Sequence, residues 1–441
     1  MGSKRTRDSQ HPPQPQHKRF HSTTPRPSPP STPLPPLHSS PWLVWDSRNH
    51  QWTTQDDLDS PASTRLAPSP SSSPTSLSFL TYNTFSSSPT HSPLQSTAVL
   101  DLLRSARADV IALQEVTAAF FRRLQDQAWV QQAYVLANTP EGFWTVAGKD
   151  GRGPGSKPGE REACVVLVRK DLVGRGSRVE LVKLPRASDE GGKAAVVVNL
   201  HSGGREQLRL FTSHFTSLST NAPIRSAQYQ LALSLLSSPS TASTTSSSSP
   251  EPLRVLLGDF NASSPSELAL FPSSSLHLQD ACASPSSSTS KSKKRPRGNE
   301  EEETEEAFRA RPTFGHLYPW VTASSRKPRK PRRIDRVYFS AGEKAVRVKS
   351  YIHLGAAPLV NPHTGARERD RLGKGGWGYA SDHEAVRVVL EIRGGQDGQG
   401  GEDEGAAEEG VEGGGGGEEG EGEGRKQRKR KKRRRKKDEG G

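Results

Sequence analysis

Cysteine is almost missing from this 441-residue chain, which carries two, Cys164 and Cys282. Two cysteines exclude a disulfide scaffold and a four-cysteine zinc site, and they suit a reducing compartment. Apolar residues are scarce at 31%, and aromatics make up 6%. A domain filling the whole chain would carry more of both. No apolar run reaches the length of a membrane span. The N-terminus also lacks the apolar core of a secretory signal. Met1–Thr6 fits the N-myristoylation pattern, which is too short to assign lipidation by itself.

What fills the deficit is glycine (40 residues), proline (35) and abundant serine. Part of the chain therefore folds, and much of it cannot bury enough apolar surface to order itself. Residues 1–76 form a Pro/Ser-rich segment expected to be disordered. A Trp-rich element at 41–53 interrupts it, and we expect that element to dock on the domain as a short hairpin. A catalytic domain is expected over 77–393, with disordered insertions at 237–250 and 284–306. Residues 394–441 form a disordered tail, first acidic and Gly-rich, then basic.

The net charge of +14 is mostly a property of that tail, because Arg425–Lys437 alone holds 12 basic residues. The 11 acids between Asp397 and Gly424 could pair with them, so the charge alone does not prove nucleic-acid binding. The basic run and Lys291–Arg297 read as nuclear-import signals or polyanion patches, which places the protein in the nucleus.

Between the tails, strands and helices intermix. Strands are expected at Leu77–Tyr82, Asp109–Leu113, Ala163–Val168, Ala194–Leu200, Leu208–Ser213, Leu253–Leu257, Arg333–Phe339, Val346–Ile352 and Ala385–Ile392. Helices are expected at Thr97–Ala108, Thr117–Gln132 and Pro223–Leu236. Without strict β-α alternation, the pattern implies two packed sheets flanked by helices.

Polar residues, most of them oxygen-bearing, recur at the strand ends: Asn83, Glu115, His214, Asp259 with Asn261, Asp335, and Asp382 with His383. Singly, each reads as a turn former or a cap. Together they make coherent chemistry. Oxygen donors without cysteine suit a hard cation such as Mg²⁺, with Mn²⁺ as a substitute. Such a cation polarises a scissile phosphate, an Asp positions water, and a His donates to the pentavalent state.

The ordered motifs T-Y-N-T-F (81–85), L-Q-E-V (113–116), S-H-F-T-S (213–217), G-D-F-N (258–261), R-I-D-R-V (333–337) and S-D-H (381–383) resemble the endonuclease/exonuclease/phosphatase family. That resemblance implies an α/β fold, a four-layer sandwich of two mixed sheets between helices. It implies Glu115, Asn83 and Asp382 at the metal. It further implies Asp259 at the attacking water, Asn261 and His214 on the phosphate, and Asp335 orienting the catalytic His383. Within the family, residues 213–228 are most similar to the group that releases tyrosine from DNA 5′ phosphates, which puts Ser217 on the phosphate. Arg225 on the following helix is a further substrate-binding candidate. Two features depart from that group: Ala262-Ser263-Ser264 stands where a basic residue is usual, and Tyr82 where Trp is usual.

The stretch His363–Tyr379 interleaves Arg367, Arg369, Arg371 and Lys374 with Trp377 and Tyr379, a composition suited to single-stranded DNA. The expected reaction is Mg²⁺-dependent hydrolysis of 5′-phosphotyrosyl bonds at DNA ends or 5′ overhangs, with protein–DNA adducts as substrates. The alternatives are an abasic-site or general DNA/RNA nuclease, a phospholipid or inositol-phosphate phosphatase, and a non-enzymatic scaffold.

Overall fold

The computed structural model describes residues 34–55, 74–86, 92–147, 161–186, 193–239, 251–283, 312–314, 331–340, 345–355, 359 and 379–393. Most of the stretches expected to be disordered (1–33, 240–250, 284–306 and 394–441) lie outside these, as do Arg367 and Trp377.

Two sheets pack face to face. In spatial order, the seven-stranded sheet contains β1 (Leu37–Ser40), β8 (Arg178–Lys183), β9 (Ala194–Ser202), β10 (Arg205–His214), β11 (Leu253–Asp259), β13 (Asp335–Ser340) and β12 (Gln279–Asp280). The eight-stranded sheet contains β14 (Ala345–Leu354), β15 (Ala385–Arg393), β4 (Ser76–Asn83), β5 (Val110–Val116), β7 (Ala163–Arg169), β6 (Tyr134–Leu136), β2 (Trp42–Asp46) and β3 (Gln51–Gln55). Each sheet has one parallel pair, β10 with β11 and β4 with β5, and the other pairings are antiparallel.

The central strands are apolar on both faces because both faces are covered. Along β9, Ala194, Val196, Val198 and Leu200 face the core between the sheets, while Ala195 and Val197 face a second core. On β11, Leu253, Val255 and Leu257 join the first core and Leu256 the second. Helix α5 (Ala222–Ser237) closes that second core with Tyr229, Ala232, Leu235 and Leu236. Over the eight-stranded sheet lie α1 (Pro93–Ala106), α2 (Ala118–Gln125) and α3 (Ala128–Ala133), and α4 (Pro140–Ala147) lies against β7 and β8. This is the expected four-layer sandwich. Among the described residues, no helix is long and apolar enough to cross a membrane.

Local chemistry moves some boundaries. Helix α1 starts at Pro93 rather than Thr97, because Ser92 and Gln95 cap each other's backbone N–H at 3.1 and 2.7 Å. The expected helix 117–132 breaks at Asp126-Gln127 into α2 and α3. In one continuous helix, Val130 would leave the face shared by Phe120, Phe121 and Leu124, and the break returns it to the core.

The N-terminal boundary is corrected more substantially. Residues 37–40, expected to be disordered, form β1 and pair with β8 (Leu37↔Val182). The Trp-rich element is a short hairpin, and it docks by extending the sheet: β2 pairs with β3 and with β6 (Leu43↔Leu136). Trp42 is 2% exposed, and its indole N–H donates to the Ser177 carbonyl at 3.2 Å. Burying such a ring stabilises the fold by roughly 2–3 kcal/mol, enough to hold the segment in place.

Candidate active site

The motifs work by alternation. In S-H-F-T-S and G-D-F-N, the middle phenylalanines Phe215 and Phe260 point into the second core, where their rings lie 5.2 Å apart. Tyr229 packs on both and donates its hydroxyl to the Phe260 carbonyl at 2.6 Å. Their neighbours His214, Asp259 and Asn261 are thereby left for the opposite side. Gly258 is obligatory: a Cβ there would lie 2.2 Å from the Ser213 carbonyl oxygen, and its φ is +144°. This close approach lets β10 and β11 run in register to their ends, His214 beside Asp259.

Asn83 is the hub of the site. Its amide N–H groups donate to Glu115 Oε1 at 2.9 Å and to Asp259 Oδ2 at 3.0 Å. Its carbonyl oxygen accepts from the Phe85 N–H. Asn83 therefore joins the two carboxylates as a donor, where the sequence reading had it as a metal ligand. Glu115 sits in the left-handed region, φ +55°, at a register shift between β5 and β7. The Ser86 hydroxyl on the Glu115 carbonyl helps hold this strained turn. His214 Nε2 lies 4.0 Å from Glu115 and 3.7 Å from Asp259.

His383 stands just before β15 of the eight-stranded sheet, at the same end as Asn83. Its Nδ1 lies 2.8 Å from Asp335 Oδ2, and its Nε2 faces Asp259 at 3.9 Å and Asp382 at 3.7 Å. Phe314 lies against the imidazole at 4.8 Å. The Thr313 hydroxyl accepts from the Asp335 and Ile334 N–H groups, and the Thr313 carbonyl accepts from Glu384. Ser381 ties the S-D-H loop to β4 through the Asn83 carbonyl at 2.7 Å.

These contacts set the charges. Burial alone would lower the basicity of His383, but Asp335 and Asp382 outweigh it and raise its pKa to about 10. His383 is thus an imidazolium at neutral pH. His214 goes the other way: burial, Lys193 and His383 all keep it neutral. Burial and Asp335 raise Asp259 to about 7, so it can exchange a proton near neutrality. Burial, Glu162 and Asp382 raise Glu115 to about 8.

Two groups of side chains have ligand spacing, Glu115–Glu162–His214 and Asp259–Asp335–His383. The second is occupied by the protonated imidazole. The first fits a divalent cation. Its histidine is neutral, and Glu162 disfavours ionisation of Glu115, a conflict that a bound cation resolves.

The remaining candidates separate. Asn261 (φ +51°) gives its N–H to Asp259 Oδ1 and its side-chain amide to the Phe215 carbonyl, which fixes it beside the water-positioning carboxylate. Ser217 follows on the same loop, and its carbonyl accepts from Asn221. Arg225 is corrected: its side chain is fully buried and cannot reach substrate. It pairs with Glu267 and donates to the Thr216 and Leu218 carbonyls and to Ser263 Oγ, so it braces the phosphate loop from behind.

Two residues escaped the sequence reading. Glu162 approaches His214 Nδ1 at 3.7 Å, and Lys193 donates to the Phe215 carbonyl at 3.2 Å. Each stands just before a strand that runs antiparallel to a site-bearing one, β7 beside β5 and β9 beside β10.

Residues 80–383 match the model of the Endonuclease/Exonuclease/phosphatase family. No curated protein matches the sequence. D. rerio tyrosyl-DNA phosphodiesterase 2 (TDP2), solved with single strand DNA product, is similar at 17% identity, over 72% of this chain and 99% of that one, with TM-score 0.45. The human Nocturnin catalytic domain with bound sulfate is similar at 15% identity, over 72% and 95%, with TM-score 0.45. A mannosyl-6-phosphatase from Bacteroides thetaiotaomicron follows at 16% identity, over 71% and 99%, with TM-score 0.44. The chain belongs to the endonuclease/exonuclease/phosphatase family and is a metal-dependent hydrolase of phosphoester bonds.

Proposed function

We propose that the enzyme uses Mg²⁺ to hydrolyse phosphodiesters at DNA ends, with the 5′-phosphotyrosyl bond of a topoisomerase-type adduct as its preferred substrate, in the nucleus. The observation that carries this reading is the S-H-F-T-S loop, which resembles the corresponding loop of the tyrosyl-releasing group. Here that loop ends β10 with His214 3.7 Å from Asp259. The basic and aromatic stretch from Arg367 to Trp377 supports a single-stranded DNA partner, and the basic runs support nuclear import. Glu115, with Glu162 and His214 beside it, would hold the cation. A predominantly oxygen donor set favours Mg²⁺, and the one imidazole also admits Mn²⁺.

The residues divide the work simply. Asp259 accepts hydrogen bonds from Asn83 and the Asn261 N–H, so its carboxylate is aimed before substrate arrives. Near its pKa of about 7 it orients the attacking water and takes its proton. His383, held as a cation by Asp335, donates from Nε2 to a non-bridging phosphate oxygen as negative charge builds there. Asn261 and His214 flank the same phosphate. A bound divalent cation would polarise the ester and neutralise the departing oxygen.

The test is turnover of a labelled 5′-phosphotyrosyl oligonucleotide with Mg²⁺ and with EDTA, beside an abasic-site duplex, a plain single strand and an inositol phosphate. Metal-dependent release of a 5′ phosphate from the first alone is the expected result. Cleavage of the abasic duplex or the plain strand at equal efficiency would make the enzyme a general nuclease. Turnover of the inositol phosphate alone would move it to the phosphatases.

A further inference from the structure

Lys193 stands at the foot of β9, beside the loop that ends β10, where nothing in the motif pattern calls for a cation. Its ammonium donates to the Phe215 carbonyl at 3.2 Å. That carbonyl also accepts the side-chain amide of Asn261 at 3.0 Å. Lys193 and Asn261 therefore converge on one atom, and that atom belongs to the residue after His214. The lysine is half-buried, and among the described residues no carboxylate lies within ion-pair distance of it. The partner it does have, the Phe215 carbonyl, is neutral, and an ammonium binds an anion more strongly than a carbonyl. Phe215 takes one of its three donors and leaves two to meet that anion. Its charge is already felt at His214, which it helps to keep neutral.

The position after G-D-F-N supplies no competing cation. Ala262 and Ser263 stand there, and the Ser263 hydroxyl is engaged by Glu267 and Arg225. Arg225 itself is sealed in the interior. Lys193 thus stands beside His214 and Asn261 through the Phe215 carbonyl that it shares with Asn261.

We propose that Lys193 is a substrate-binding residue that contacts a non-bridging oxygen of the scissile phosphate from the side of His214 and Asn261. This rests on the phosphoester chemistry of the site and is independent of which leaving group the enzyme prefers. A point charge that meets the phosphate in ground and transition states alike strengthens binding more than it speeds chemistry.

The experiment compares wild type with Lys193→Arg, Lys193→Gln and Lys193→Met. It uses a chromogenic aryl phosphodiester as substrate and inorganic phosphate as competitive inhibitor. Lys193→Gln keeps a donor for the Phe215 carbonyl and removes the charge, so it separates the two roles. The expected result is a rise of roughly 10- to 30-fold in KM and in the phosphate inhibition constant for Gln and Met. Arg should stay within about threefold of wild type, and kcat should change less than KM throughout. The charge-removed variants should also lose most of the salt dependence of phosphate binding. Wild-type KM and phosphate inhibition in Lys193→Gln, with or without a defect in Met, would overturn the proposal and leave Lys193 a loop brace. If wild type turned over no phosphoester, the reading of the site would fail separately. Calorimetric binding of inorganic phosphate to the same four proteins would then still decide the role of Lys193.

Discussion

Replacing Asp335 by Asn should give a defect whose size depends on pH in a calculable way. Asp335 accepts from His383 Nδ1 at 2.8 Å, and with Asp382 it holds the imidazole at about 10 instead of its ordinary 6.5. Asparagine keeps an oxygen for the Nδ1–H and removes the charge. At pH 8 wild-type His383 is about 99% protonated, and a histidine returned to its ordinary value is about 3% protonated. The variant should therefore turn over about 30-fold more slowly at pH 8 from lost proton donation alone. At pH 6 about three quarters of the imidazoles are still charged, and the defect should shrink to within about twofold. Above pH 7 it should grow about tenfold per unit until wild type itself loses its proton near 10. Asp335 also helps to raise Asp259, so the Asp259 limb is fitted in each protein and divided out before the variant-to-wild-type ratio of kcat/KM is taken at each pH. The assay is a chromogenic phosphodiester followed from pH 6 to 9 at saturating Mg²⁺. A ratio that stays flat across that range would refute the idea that Asp335 acts through the charge of His383, and would leave it a purely geometric role.

Other outcomes follow from the same geometry. Glu115 and Asp259 bind protons more tightly folded than unfolded, so the stability they contribute is complete below about 4 and is lost as pH rises through about 7 to 8. Metal-free protein should melt lower at pH 8 than at pH 6, and a divalent cation should raise the melting temperature more at pH 8; equal gains would count against a cation at Glu115. Arg225→Met strands the Glu267 carboxylate and should cost roughly 3–5 kcal/mol by chemical denaturation. Gly258→Ala forces a Cβ against the Ser213 carbonyl, so it should lower stability by more than about 3 kcal/mol and reduce activity by separating His214 from Asp259. A soluble, fully active Gly258→Ala would contradict the close approach of β10 and β11.

The sandwich was readable because its central strands are long, apolar and tipped by oxygen-bearing residues, a pattern that period-two alternation and loop chemistry make visible. Short elements were not. Tyr134–Leu136 gives three residues of pattern, and Arg178–Lys183 mixes charged residues, which are exposed or half-buried, into its alternation. In the site, the residues inside recognisable motifs were found on either side of their strands, and two that precede strands outside any motif were missed. Glu162 and Lys193 reach the cleft because β7 and β9 run antiparallel to β5 and β10, and pairing of that kind leaves no mark on either segment alone. Arg225 failed in the opposite direction. An arginine near a phosphate loop reads as a ligand, and only its burial against Glu267 reveals a brace.

The strands at the N-terminal edge have a consequence for how the chain is made. Residues 37–55 leave the ribosome early, yet the partners of β1 and β2 are β8 and β6, which follow roughly 90 to 140 residues later. Until then β2 has only β3 to pair with, and its other edge and the side chains of Trp42, Leu43 and Val44 lack the core that covers them. The nascent chain thus passes through an interval in which its most apolar early segment is sticky. Closure of both sheets is a late step. Production started from the family-matched region alone would avoid that interval and would leave β8 and β6 with open edges, so it trades a transient hazard for a permanent one.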